Sequence, residues 1–284
     1  GAAGNGSSTV VVYSLDGNSL AVEGSHANGT SVDNVKWSPD GNFLLTTADS
    51  NDIYAYSFNS DTSILTTPPV SVATPTANAL DLEWSPNGQF FAAGLVGNGT
   101  GAVYSFNSGV PSATLIDSVN LSCTHVRQAS WWPDGSKIAF ACQGPSDDGI
   151  KIYEFSSNTL SFIQKIDTAT ATNGLAITRD GKNVVSCGFS TTVGNILFYH
   201  ADSSGYLTED NSQRKIQGTT NYVYRVGFNP SENILVAVGT DSVLAEEFKA
   251  YPMIRESLLV TNSNTLVELD QRSTADSNAV VAKF

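Results

Sequence analysis

Three side chains suited to chemistry stand in two short stretches. His125 and Arg127 lie in "CTHVRQASWWPDG" (residues 123–135), and Arg225 lies in "NYVYRVGF" (residues 221–228). An imidazole titrates near neutral pH and serves as a general base. A guanidinium stays charged and grips a carboxylate. Together the three form a candidate ligand site for an anion, or for a reaction in which His125 takes a proton while Arg127 and Arg225 hold a substrate carboxylate. Such a reaction also needs an acid, and none is legible in the strands around them. The alternative is that all three only satisfy polar groups in a wet channel. His26 and His200 stand alone in polar loop or strand-end settings and read as exposed residues without a role.

The three cysteines are Cys123, Cys142 and Cys187. Cys123 and Cys142 flank a hairpin turning at "WPDG", which is expected to set them side by side as a disulfide candidate; two buried thiols is the other reading. Cys187 is left over, in an apolar strand. The Cys and His spacing fits no zinc pattern, so no metal and no other cofactor is expected. "DSND" (49–52) and "SDDG" (146–149) are acidic, yet calcium needs more oxygens than either supplies, and both read as hairpin turns.

Charge narrows the classes of partner. The 284 residues carry a net charge of −13, which disfavours a nucleic-acid backbone as partner. Charged residues are 14 % of the chain, against roughly 25 % in ordinary soluble domains. Ser, Thr, Asn and Gly take their place, a surface common among secreted proteins. No apolar run is long enough for a helical membrane span, so no membrane insertion is expected. "GAAGNGSST" at the start has no basic n-region, which reads as a mature or trimmed chain.

The elements that would position these residues repeat. "VKWSPDG" (35–41) returns as "LEWSPNG" (82–88) and "SWWPDG" (130–135), with Trp37, Trp84 and Trp131 spaced 47 apart. Ile177 in "AITRDG" and Phe228 in "VGFNPSE" continue the series. Each anchor precedes a Pro/Asp/Asn/Gly turn, an apolar run, a second turn and an alternating strand such as "IYAYSF" or "IKIYEF". Four short strands per repeat is the length of one β-propeller blade. The C-terminal "SNAVVAKF" (277–284) aligns with the innermost strand "ANALDLEW" (77–84), and the N-terminal stretch 2–15 aligns with 92–106. The termini therefore read as complementary parts of one blade, whose pairing would remove an open sheet edge. The expectation is an all-β, six-bladed propeller of four-stranded antiparallel blades, one domain over 1–284. A neighbouring molecule completing the shared blade would instead give a polymer by strand exchange.

The chain resembles the lactonase-type propellers, related in style to WD-repeat proteins. The "SPDG" turns fit both groups, and "FYHADSSGYLTE" (198–209) is closer to the lactonase type. Six blades departs from that family's usual seven. Its enzymes resemble 6-phosphogluconolactonase or carboxymuconate cycloisomerase, with His, Arg and Glu around a central channel. By that resemblance His125 matches the first His of an H-x-H entry into an innermost strand, and Arg127 stands where the second would be. The other entries carry Asn34, Asn78, Asn173 and Asn278, which cannot act as acid or base near neutral pH.

Four sequons begin at Asn5, Asn28, Asn98 and Asn120, all glycosylation candidates. In a propeller they fall in loops emerging on one face, the face onto which the His125 mouth opens. One blade alone carries an insertion, residues 240–257, with "DSVLAEEFKAYP" expected to form a short helix capped by Asp241 or Ser242 and ended by Pro252. The expected function is that of a secreted, non-enzymatic propeller. It would act as a binding or structural module for protein or glycan partners and be able to self-assemble. A lactonase-like hydrolase or isomerase at the channel mouth is the alternative.

Overall fold

The computed structural model describes residues 2–3, 9–16, 19–27, 32–48, 51–62, 64–144, 149–168, 171–189, 196–210, 222–232, 234–240, 247–252 and 270–273. Among these there is no helix; every element is a strand, and every sheet is antiparallel. The first sheet orders Ala2–Ala3 (β1), Thr9–Asp16 (β2) and Ser19–Ala27 (β3). It has the partial blade expected of the N-terminus. The second runs Val32–Trp37 (β4), Phe43–Ala48 (β5) and Ile53–Asn59 (β6), with its outer position divided between Ile64–Leu65 (β7) and Val70–Ala73 (β8). Pro68 and Pro69 separate those two pieces, because proline has no N–H to continue the ladder.

Three four-stranded sheets follow. Ala79–Trp84 (β9), Phe90–Leu95 (β10), Thr100–Asn107 (β11) and Ser112–Asn120 (β12) form one. His125–Trp131 (β13), Lys137–Gln143 (β14), Gly149–Ser156 (β15) and Thr159–Ile166 (β16) form the next. Thr172–Ile177 (β17), Asn183–Gly188 (β18), Ile196–Ala201 (β19) and Leu207–Glu209 (β20) form the third. The last sheet holds Tyr222–Phe228 (β21), Ile234–Thr240 (β22), Glu247–Pro252 (β23) and Asp270–Ser273 (β24). Each sheet is a simple meander, and β4, β9, β13, β17 and β21 touch one another in that order. That is a β-propeller with its innermost strands around a channel. The strand expected at 279–284, and with it the closure of a sixth blade, lies outside the described residues.

Two sequence devices build the blades. The first is alternation, which sends successive side chains to opposite faces of a strand. Phe91, Ala93 and Leu95 enter the core shared with the preceding sheet, while Ala92 enters the core shared with the following one. In β14, Ile138, Phe140 and Cys142 face one interface, and Ala139 and Ala141 the other. Each fully buried Leu, Ile or Phe contributes about 1.5–3 kcal/mol of transfer free energy, so most stability lies between blades.

The second device is the turn after each anchor. Gly41, Gly88, Gly135 and Gly181 all have φ between +69° and +74°, and each N–H bonds back three residues at 2.8–2.9 Å. Glycine reaches this left-handed region without strain. The anchors then tie blade to blade. The Trp84 indole N–H donates to the Lys36 carbonyl at 3.2 Å, and Trp131 donates to the Glu83 carbonyl at 3.1 Å.

The structure corrects the helix expected in the insertion. Residues 247–252 form strand β23, paired along β22 and followed by β24. "EFKAYP" alternates in period two, and the unfilled third position of the blade outweighs its local helix signals. Asp241 and Ser242 lie outside the described residues.

Candidate functional site

The innermost strands share a bulge. In β13 Val126 faces Cys142 and Gln128 faces Ala141, so Arg127 is the extra residue. Asn173 is extra in β17 and Tyr224 in β21, and Leu80 is passed over in β9. A bulge bends its strand and re-aims the extra side chain. Repeated around the ring, it gathers these residues at one end of the channel, the mouth.

Arg225, the residue after the Tyr224 bulge, binds that end together. Its Nη1 donates to the carbonyls of Asn173 (2.7 Å) and Tyr224 (3.0 Å), and its Nη2 donates to the carbonyl of Arg127 (3.1 Å). Three successive bulges thus converge on one guanidinium. Nη2 also lies 3.8 Å from Asp81 Oδ1. Asp81 is almost wholly buried and accepts bonds from Asn34 Nδ2 (2.8 Å) and the Ala129 N–H (3.0 Å). Deeper along the same strands, Lys36 Nζ donates to Glu83 Oε2 at 2.5 Å.

These groups shift one another. Burial pushes the Asp81 carboxyl above the usual carboxylate range, although the nearby Lys36 and Arg225 charges pull it down. For Lys36 burial is the largest influence and lowers the ammonium, but Glu83 and Asp81 together outweigh it and hold the group above its ordinary value. His125 is half-buried at the start of β13, and burial, then the Arg127 charge, lowers its imidazole, favouring the neutral ring.

The three site residues named from sequence therefore share the mouth region, but in different roles. Arg225 is engaged by the protein itself. Arg127 is held through Nε by Gln143 Oε1 at 2.5 Å, and among the described residues no carboxylate lies within ion-pair distance of it. The acid that could not be named from sequence has two candidates in the structure: Asp81 and Glu83 both stand on β9. They sit in "ALDLEW", where alternation with apolar residues hid them. The legible signal is the third position before each anchor, which reads Asn34, Asp81, Gln128 and Arg225, with Gly174 the exception. Gly174 is small for a reason, since a Cβ there would come within 2.7 Å of Cys187 Sγ.

The expected Cys123–Cys142 disulfide is not formed. Both residues are buried as thiols in one core cluster. The register puts Cys142 opposite Val126, and Cys123 packs against Gly144, two residues further along. The Cys187 thiol is pushed up to about 12, chiefly by burial, and stays protonated.

Of the sequon residues, Asn5 and Asn28 lie outside the described residues. Asn98 and Asn120 are both exposed. Thr100 pairs with Asn120, and Val96 bridges to His125, so both asparagines lie at the mouth end. His26 is only half-exposed, with Nδ1 3.2 Å from the Tyr56 hydroxyl; His200 is exposed beside Asn183 and Asp210. In the "DSND" turn, the Asp52 carboxylate accepts hydroxyl bonds from Tyr54, Ser71 and Thr74, which is turn chemistry.

The family model described as Eukaryotic translation initiation factor eIF2A matches residues 111–240, and that described as WD domain, G-beta repeat matches residues 11–57. No curated protein matches the chain by sequence. Among solved structures, the periplasmic gluconolactonase of Pseudomonas aeruginosa superposes with a TM-score of 0.75 at 14 % identity, covering 95 % of this chain and 82 % of that one. A protein from Lactobacillus plantarum gives 0.71 at 13 %, over 94 % and 79 %. A chain of a mitotic checkpoint complex gives 0.67 at 16 %, over 96 % and 74 %. The chain has the lactonase-type, WD-repeat-like β-propeller fold.

Proposed function

We propose that this propeller is a secreted binding or structural module that works through its faces, not by chemistry inside its channel. The observation that supports it is the Arg225 guanidinium, which joins three blades through backbone carbonyls and lies against Asp81, so that it serves the scaffold. Six blades, closed by a blade shared between the two termini, complete the proposed ring. The hydroxyl-rich surface and the exposed Asn98 and Asn120 favour a secreted, glycosylated protein. WD-repeat propellers commonly mediate protein interactions, which makes protein or glycan partners and self-association the natural roles. Size-exclusion chromatography with light scattering, alongside glycan and partner binding, tests this. A strict monomer without affinity for either would overturn it.

A lactonase-like hydrolase or isomerase is the second reading. It is favoured by Asp81, a buried carboxyl holding its proton more tightly than usual, and by His125 at the mouth, where burial favours the neutral ring. Lactone turnover lost in both His125→Ala and Asp81→Asn would establish it. Equal rates in all three proteins, or none, would retire it.

A further inference from the structure

The mouth carries exposed aromatic surface outside the Arg225 network. Phe189 and Tyr222 stack with ring centroids 4.5 Å apart at 21°, and Tyr222 and Tyr224 continue the pile at 6.1 Å and 10°. Tyr222 is 41 % and Tyr224 47 % exposed, although both rings are stacked. Two further observations place a charge beside them. Tyr224 and Arg127 are equivalent bulge residues whose carbonyls meet on the same Arg225 guanidinium. Burial and then the Arg225 charge lower the Arg127 guanidinium, and the Tyr224 phenol acts on it in the opposite direction. In a chain of net charge −13, Arg127 is a cation that among the described residues has no carboxylate partner.

We propose that Tyr222, Tyr224 and Arg127 form a subsite for an acidic saccharide, in which a sugar ring lies on the tyrosine pile and its carboxylate is gripped by Arg127. A sugar presents C–H groups to an aromatic face, and a guanidinium left with its two terminal amino groups matches a carboxylate in a bidentate fork. The rest of the rim favours a hydroxyl-bearing ring over a plain aryl acid. His125 and the Gln143 amide both donate and accept hydrogen bonds, as sugar hydroxyls do, and an aryl carboxylate would leave them unused. Arg225 is a positioning residue here, since its bonds to the Arg127 and Tyr224 carbonyls set the distance between platform and charge.

This deepens the binding-module reading and rests on it. The test is calorimetric titration of the whole chain with trigalacturonate, with neutral galactotriose and benzoate as comparisons. Trigalacturonate is expected to bind at least 10-fold more tightly than either, and more weakly as salt rises. Tyr224→Ala should weaken it 10-fold or more, and Arg127→Gln should erase the preference for acid over neutral sugar. Near-UV circular dichroism and melting of both variants keep a folding defect separate from lost binding. Equal affinity for acidic and neutral sugars, tighter binding of benzoate, or an unchanged Tyr224→Ala affinity would overturn the proposal. Lactone turnover that depends on His125 would overturn the module reading beneath it. A protein with neither turnover nor uronate binding would overturn this inference alone.

Discussion

Arg225 Nη2 lies 3.1 Å from the main-chain oxygen of Arg127, a residue 98 positions earlier in the chain. Sequence distance of two repeats becomes contact because β13, β17 and β21 lie side by side, and the Arg225 side chain reaches past β17 to β13. Removing that side chain takes the donor from three carbonyls and a neighbouring positive charge from the buried Asp81. Arg225→Met is therefore expected to cost about 3 kcal/mol, toward the low end for a broken buried pair because the arginine is partly exposed. Arg225→Lys should recover little, since a single ammonium cannot serve three carbonyls. Urea unfolding of the three proteins checks this; a lysine variant as stable as the parent would show that charge alone suffices.

The fold was legible because each blade repeats a chemical instruction: an anchor, a left-handed turn residue and an alternating apolar run. His125, Arg127 and Arg225 were legible as residues, but their division of labour was not. That division depends on bulges, which arise where two strands of different length must pair and leave no composition signature. Tyr222 and Tyr224 are not legible as a stacking platform, because β-propensity and stacking use the same residue. The third strand of the last described blade was missed for a related reason: "EFKAYP" carries local helix signals, and only the vacant ladder position beside β22 decides against them.

Asp81 gives the protein an unusual pH dependence. Its folded carboxyl holds a proton more tightly than the unfolded chain does. The folded state then binds more protons between the ordinary value of 3.8 and the raised one, and across that window stability falls as pH rises. Asp81→Asn removes this slope. Chemical denaturation of both proteins from about pH 4 to about pH 7 should show the difference in stability moving in the variant's favour as pH increases. Parallel curves would mean that Asp81 ionises normally.

Asp40 has the opposite sign. Its carboxylate is held below 3.8 chiefly by the Ser38 hydroxyl; burial opposes this, and the Asn42 N–H and side-chain amide add to the lowering. The stabilisation it provides is complete above 3.8 and is lost as pH falls through the depressed value. Asp40→Asn should be closest to the parent in acid and fall behind as pH rises to neutral. Melting temperatures at the two extremes measure it, and a gap that does not change with pH would exclude the turn as the cause.

Glu232 occupies the turn position that glycine fills in the four preceding repeats, with φ of +54°, and its carboxylate accepts the Arg179 N–H of the preceding blade. Glu232→Ala and Glu232→Gly both lose that bond, but only glycine relaxes the backbone. The glycine variant is expected to be the more stable of the two by about 1 kcal/mol. Equal stabilities would show that the turn shifts to a different backbone once the carboxylate is gone.

Asn98 and Asn120 test the proposal of a secreted, glycosylated face. In both, the side-chain oxygen caps a backbone N–H two residues on, Thr100 at 3.2 Å and Ser122 at 2.7 Å. The turn therefore uses Oδ1, and among the described residues the amide nitrogen that a sugar would modify keeps one long contact, from Asn98 to Thr76 at 3.4 Å. Both side chains are exposed, so the turn and a glycan are compatible. The two differ in their chain neighbours: Leu121 and Cys123 are buried and draw the Asn120 loop against the blade, whereas Asn98 stands between two glycines with positive φ. Expression through a eukaryotic secretory pathway should accordingly give fuller occupancy at Asn98 than at Asn120. Intact mass before and after enzymatic deglycosylation, with Asn98→Gln and Asn120→Gln as controls, reads each site separately. Because Thr100 pairs directly with Asn120, two sugars would stand on neighbouring strands beside the mouth. A large acidic polysaccharide should then bind the deglycosylated protein more tightly than the glycosylated one, while trigalacturonate binds both alike. A mass unchanged by deglycosylation would remove the sugars and the crowding argument together.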